Sequence, residues 1–144
     1  MSYALDANIL LYASDATSEF HSRAVTFLEN CAADDEVLVL AWPTVMAYLR
    51  IATHPAVFDH PLEANEALAN VENLLRLPQA RVLSEGPEFF ALYRELADAH
   101  APKGNLVPDA HLACLLRSNG VKTLYTLDRG FRRFDFLRVE RPWD

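Results

Sequence analysis

The sequence predicts an α/β fold, a mostly parallel sheet with helices covering both faces. Two observations carry that expectation. Short apolar runs of strand character alternate with longer segments of helical periodicity, the pattern of βαβ units. Three aspartates, Asp6, Asp109 and Asp128, stand where an apolar strand would end or a helix would begin. Carboxylates at such positions can converge at the carboxyl edge of a parallel sheet, where open α/β folds place their ligands.

The strands are expected at 2–5, 36–41, 81–83, 122–127 and 137–140, each a short apolar run. Over 18–32, Phe20, Ala24, Phe27, Leu28 and Cys31 fall on one helical stripe, with Ser18 placed to cap it. Over 63–76 the stripe is Leu68, Val71, Leu74 and Leu75. Over 86–100 it is Phe89, Leu92, Tyr93 and Leu96, after Ser84 and with Pro87 in the first turn. Over 107–119 it is Leu112, Ala113 and Leu116, and Asn119-Gly120 reads as the helix stop.

A chain of 144 residues, 51% apolar and 23% charged, is expected to form one domain with a sizeable core. No apolar run is long enough to span a bilayer. The first residues lack the basic stretch and cleavage site of an export signal, so a cytoplasmic protein is expected. The two cysteines, Cys31 and Cys114, then read as reduced core thiols.

The net charge of −7 argues at first against a nucleic-acid partner, but the charge is unevenly spread. Residues 1–102 hold 5 Lys/Arg and 15 Asp/Glu, a net of −10, whereas residues 103–144 hold 8 and 5, a net of +3. Five of those cations are Arg129, Arg132, Arg133, Arg138 and Arg141, directly after Asp128. Positive charge beside a carboxylate site suits phosphate neutralisation; a solvated basic face is the plain alternative.

The four glycines lie at turn or boundary positions, and no phosphate-cradling glycine loop or GxSxG elbow occurs. The histidines at 21, 54, 60, 100 and 111 form no zinc spacing. That leaves the aspartates. Singly, each reads equally well as a helix or turn cap. Asp109 also shares a stripe with Leu112, Ala113 and Leu116, so its carboxylate faces the core side and needs a cap, a cation or a metal. Two carboxylates about 4 Å apart repel by roughly 4 kcal/mol at an effective dielectric near 20. A divalent ion turns that repulsion into attraction, and oxygen-only ligands suit Mg²⁺ or Mn²⁺. Such a site orients a phosphodiester and activates water, so metal-dependent hydrolysis of a phosphodiester is the expected chemistry.

The opening Leu5-Asp6-Ala7-Asn8-Ile9-Leu10-Leu11-Tyr12 resembles the start of PIN-domain proteins. Asn105 to Ala113 and Thr126-Leu127-Asp128-Arg129-Gly130-Phe131 resemble their later acidic motifs. Leu49 to Pro55 and the closing Arg141-Pro142-Trp143 are similar to the VapC toxin subgroup. The resemblance covers the whole chain. It implies a three-layer α/β/α sandwich around a mostly parallel sheet. It also implies a Mg²⁺- or Mn²⁺-dependent endoribonuclease, an RNA substrate, inhibition by a cognate VapB-type antitoxin and a homodimer. Asp6 and Asp109 match the family's metal ligands, Asp128 its final acidic position, and Asn8 and Thr126 its supporting polar positions. The family's glutamate on the helix after the second strand is replaced by Ala47. That departure implies a leaner site, and leaves a PIN-like module that binds RNA or protein without cutting as the alternative.

Overall fold

The computed structural model describes residues 1–144 and contains five strands, β1 (Ser2–Leu5), β2 (Val37–Ala41), β3 (Ala80–Leu83), β4 (Thr123–Tyr125) and β5 (Arg138–Glu140). They form one sheet in the order β3-β2-β1-β4-β5, and every neighbouring pair is parallel. Tyr3 lies opposite Leu38, and Ala4 is flanked by Val39 and Leu124. The helices are α1 (Ala7–Ala13), α2 (His21–Ala33), α3 (Trp42–Ala52), α4 (Ala64–Leu75), α5 (Phe89–His100) and α6 (Leu106–Ser118), with a 3₁₀ turn at Arg129–Arg133.

Alternation along the central strands divides the core into two layers. Tyr3, Leu5, Leu38 and Leu40 point to one face, where they pack against Ile9 and Leu10 of α1, Cys31 of α2, Val45 and Tyr48 of α3, and Val71 of α4. Ala4, Val39 and Ala41 point to the other, against Leu96 of α5, most of α6, and Phe131 and Phe134. Burial on both faces is why the strands read Tyr-Ala-Leu and Val-Leu-Val-Leu-Ala without polar alternation. Right-handed crossovers demand the same partition: the β1-to-β2 and β2-to-β3 connections cover one face, and β3-to-β4 returns over the other. The α/β/α sandwich is as expected.

Several local expectations shift. Ser18 does not cap α2; its hydroxyl accepts from Phe20 N at 3.1 Å, a turn ahead of a helix that starts at His21. Helix α5 starts at Phe89, so Pro87 lies before it. In α4 the buried positions are Ala67 and Val71, while Leu68 is 44% exposed. Helix α4 turns its Ala67–Val71 edge toward α3 and β3, which leaves Leu68 at the margin. Helix α6 ends as expected: Val121 N donates to Leu116 O at 2.9 Å across Gly120, whose φ of +72° suits glycine. Cys31 and Cys114 are buried free thiols. No helix is long and apolar enough to cross a membrane.

Candidate active site

β1 and β4 are neighbours, yet the chain leaves them in opposite directions, from β1 toward β2 and from β4 toward β5. Such a divergence opens a crevice at the carboxyl ends of the strands. Asp6 is the first residue after β1, and Thr126 the first after β4. Two backbone bonds hold these ends in register: Asp6 N donates to Tyr125 O at 3.0 Å and Thr126 N to Glu140 O at 3.0 Å.

The side chains then interlock. Asp6 Oδ1 accepts from Ala7 N at 2.8 Å, capping α1. Its Oδ2 accepts the Thr126 hydroxyl at 2.7 Å and a longer contact from Asn8 Nδ2 at 3.5 Å. Asn8 Nδ2 also donates to Thr126 Oγ1 at 3.2 Å, and that same oxygen accepts from Asp128 N at 3.0 Å. Thr126, only 2% exposed, therefore ties together Asp6, Asn8 and the backbone of Asp128. Capping and site-building are compatible here: one carboxylate oxygen serves the helix and the other the network.

Asp128 is exposed, and its Oδ1 accepts from Gly130 N at 2.8 Å as it starts the 3₁₀ turn. A Cβ at Gly130 would stand 3.0 Å from that oxygen, so glycine is what lets the carboxylate fold over the turn. Asp109 differs from both. It lies in the first turn of α6, half-buried, and accepts no hydrogen bond from the protein. Capping does not satisfy it. Burial, then the charges of Asp128 and Asp6, push its carboxyl up to about 6, with Arg133 pulling the other way. Burial also raises Asp6, opposed by the Thr126 and Ala7 hydrogen bonds and reinforced by Asp128. Carboxylates from three separated segments are thus within electrostatic reach of one another.

No three carboxylate, imidazole or thiol groups close on a common point as a finished metal cage. The available donors are nonetheless all hard oxygens. Asp109 has both carboxylate oxygens free of protein donors, Asp128 has its Oδ2, and Asn8 Oδ1 is buried with no partner at all. An unpartnered buried amide oxygen is costly by about 1–3 kcal/mol, and a hydrated cation would relieve it. The donor set fits Mg²⁺ or Mn²⁺ carrying several of its own waters. Helix α3 presents a half-buried Ala47 and adds no carboxylate.

Two neighbours were not singled out from sequence as site residues. Arg133 sits close enough to Asp109 to oppose its raised pKa, and Gly130 shapes Asp128. The run of cations after Asp128 was the only signal for the first; the second needed the turn geometry. His111, two residues after Asp109, is held by Glu85 at 3.3 Å and packs on Phe89.

The PIN domain family model matches residues 3–137. The chain belongs to the PIN-domain family. Within it, the chain is 38% identical over 143 residues to Ribonuclease VapC48 of Mycobacterium tuberculosis, covering 99% of each protein. This PIN-domain chain also shares its fold with VapBC2 from Rickettsia felis, solved bound to a DNA fragment from its promoter. That match has a TM-score of 0.68 at 17% identity and covers 100% of both chains. The sarcin-ricin loop cleaving toxin VapC20 of Mycobacterium tuberculosis matches with a TM-score of 0.69 at 16% identity, over 94% of this chain and 96% of that one. Recognition of the family from the three acidic motifs agrees with these matches.

Proposed function

We propose that this chain is an endoribonuclease toxin that hydrolyses phosphodiester bonds in RNA and is neutralised by a cognate VapB-type antitoxin. The observation that carries the reading is the convergence of Asp6, Asp109 and Asp128, with Asn8 and Thr126, where β1 and β4 diverge. End-to-end similarity to a VapC ribonuclease supports it.

Mg²⁺ or Mn²⁺ is the proposed cofactor, with Asp6 and Asp109 as its firmest ligands and Asp128 as the third. Bound there, the ion would neutralise the carboxylates, polarise the scissile phosphate and lower the pKa of an attacking water. The remaining work belongs to the protein. Thr126 holds the Asp6 carboxylate through its 2.7 Å hydrogen bond, and Asn8 in turn donates to the Thr126 hydroxyl at 3.2 Å. Asp109, ionised above about pH 6, contributes negative charge from the α6 side. Asp128 is fixed by Gly130 N, leaving its outer oxygen for ligand or water. The proposed step is direct attack of water on the phosphodiester, with no enzyme-bound intermediate.

Purified protein supplied with Mn²⁺ should cut a structured RNA, and Asp109→Asn should lower the rate by at least about 100-fold, the scale of losing one preorganised charged group. Equal cleavage by wild type and variant would overturn the role of Asp109. RNA binding without cleavage under any divalent ion would overturn the enzyme and leave the binding module. A VapB-type antitoxin should suppress cleavage stoichiometrically, and light scattering of the free toxin should give the mass of a homodimer.

A further inference from the structure

A shallow recess beside Asp128 is lined by Thr126, Leu127, Asp128, Arg129, Arg132 and Arg141, with Val139 at its base. Three arginines thus line one concavity that shares Thr126 and Asp128 with the candidate active site. They come from separate segments, the 3₁₀ turn and the residue after β5. Three of the chain's eight other arginines pair with a carboxylate: Arg76 with Glu72, Arg94 with Asp98, and Arg138 with Glu140 at 2.7 Å. Arg129 and Arg132 make no hydrogen bond or ion pair within the protein, and Arg141 only donates from Nε to Trp143 O at 3.4 Å. All three are exposed.

These exposed side chains contribute nothing to the apolar packing of the segment. Phe131 and Phe134, its buried residues, anchor the turn from the opposite side. The turn therefore holds its apolar positions inward and presents Arg129 and Arg132 outward, next to Asp128. Arg133 of the same turn donates from Nε to Gly130 O and leans toward Asp109 instead. Exposed, unpaired cations beside a carboxylate site make this corner locally positive on an overall acidic chain.

We propose that Arg129, Arg132 and Arg141 form a phosphate-binding subsite that holds the RNA strand on the β5 side of the scissile bond. The proposal rests on the ribonuclease reading and assigns these residues to positioning, through the phosphate next to the one that is cut. Guanidinium groups suit this because they pair bidentately with phosphate oxygens. The site reads backbone and carries no base specificity, so it should favour any single strand that can reach the aspartates.

The test uses full-length Asp109→Asn protein, so that RNA is bound but not cut, and a fluorescent single-stranded RNA oligonucleotide followed by anisotropy over a range of salt. Arg129→Gln, Arg132→Gln and Arg141→Gln should each weaken binding by about fivefold at 0.1 M salt and flatten the log–log salt slope by about 0.7, the value for one single-strand phosphate contact. Arg76→Gln, on the far side of the molecule, is the control, and circular dichroism checks that every variant is folded. Unchanged affinity and slope in all three variants, with RNA still bound, would overturn the subsite alone. Absence of RNA binding by every protein would overturn the subsite and the ribonuclease reading together. Unchanged RNA binding with weakened binding of a polyglutamate peptide would assign the arginines to an acidic polypeptide and overturn the proposal.

Discussion

Asp109 accepts no hydrogen bond and its carboxyl is held up at about 6, against an ordinary 3.8, by burial and by Asp128 and Asp6. The folded protein binds that proton more tightly than the unfolded chain does. Its contribution therefore favours folding below pH 4 and is lost as pH rises through about 6. In chelator, Asp109→Asn should match wild type in Tm near pH 4 and exceed it progressively toward pH 7. A gap that stays constant with pH would sink this account. Gly130→Ala tests the other side of the site, because the added methyl meets Asp128 Oδ1 at 3.0 Å. Cleavage should fall by roughly a few-fold with little change in Tm, since the Asp128 carboxylate must give by a few tenths of an ångström. Activity equal to wild type would show that Asp128 is free to move. At this scale the sequence singled out Asp6, Asn8, Asp109, Thr126 and Asp128, because each sits next to a strand end or a helix start. It could not show that Asp6 serves as cap and network acceptor at once, since the second bond comes from a residue 120 positions away.

Helix α6 is the element on which the site depends most. Ala110, Leu112, Ala113, Cys114, Leu115 and Leu116 are all buried, more than one face of an ordinary surface helix can supply. Packed against the sheet and α5, it carries Asp109 at the start of a closely packed helix. Leu115→Ala should destabilise the fold by about 3 kcal/mol, from lost burial and the cavity left behind. Urea denaturation should show a lower midpoint at unchanged slope. A loss under about 1 kcal/mol would mean that the layer can collapse around the gap. Periodicity located this helix, yet its stripe of Leu112, Ala113 and Leu116 understated the burial, because a helix packed on two sides has little polar face to contrast with. The opposite error occurred in α4, where Leu68 belongs to the apolar pattern but is 44% exposed. Spacing names a candidate stripe; the neighbour decides which edge of it is covered. Helix starts slipped for a related reason, as Ser18 and Pro87 build turns ahead of α2 and α5.

Across the whole molecule, the order β3-β2-β1-β4-β5 puts the only divergence of departing connections between β1 and β4, and the carboxylates gather there. A cation bound among them should stabilise the entire fold, by about 2.7 kcal/mol at a hundredfold excess over its Kd. Thermal melting should show Mn²⁺ or Mg²⁺ raising the Tm of wild type by several degrees and leaving Asp6→Asn nearly unmoved. No shift in wild type at millimolar metal would sink the cation. This readout is independent of cleavage. The sequence by itself determined the α/β class, the positions of strands and most helices, the residue types of the site and the absence of a glutamate at Ala47. Those are local properties, written in spacings of two to four residues and in the chemistry of chain ends. Tertiary structure alone decided that Asp6 meets Thr126, that Asp109 is left without a hydrogen-bond donor, and that three arginines share one recess. The reason is physical: parallel pairing joins strands far apart in the chain, and which strand ends become neighbours follows from crossover handedness and packing of the two layers, which no short window of sequence contains.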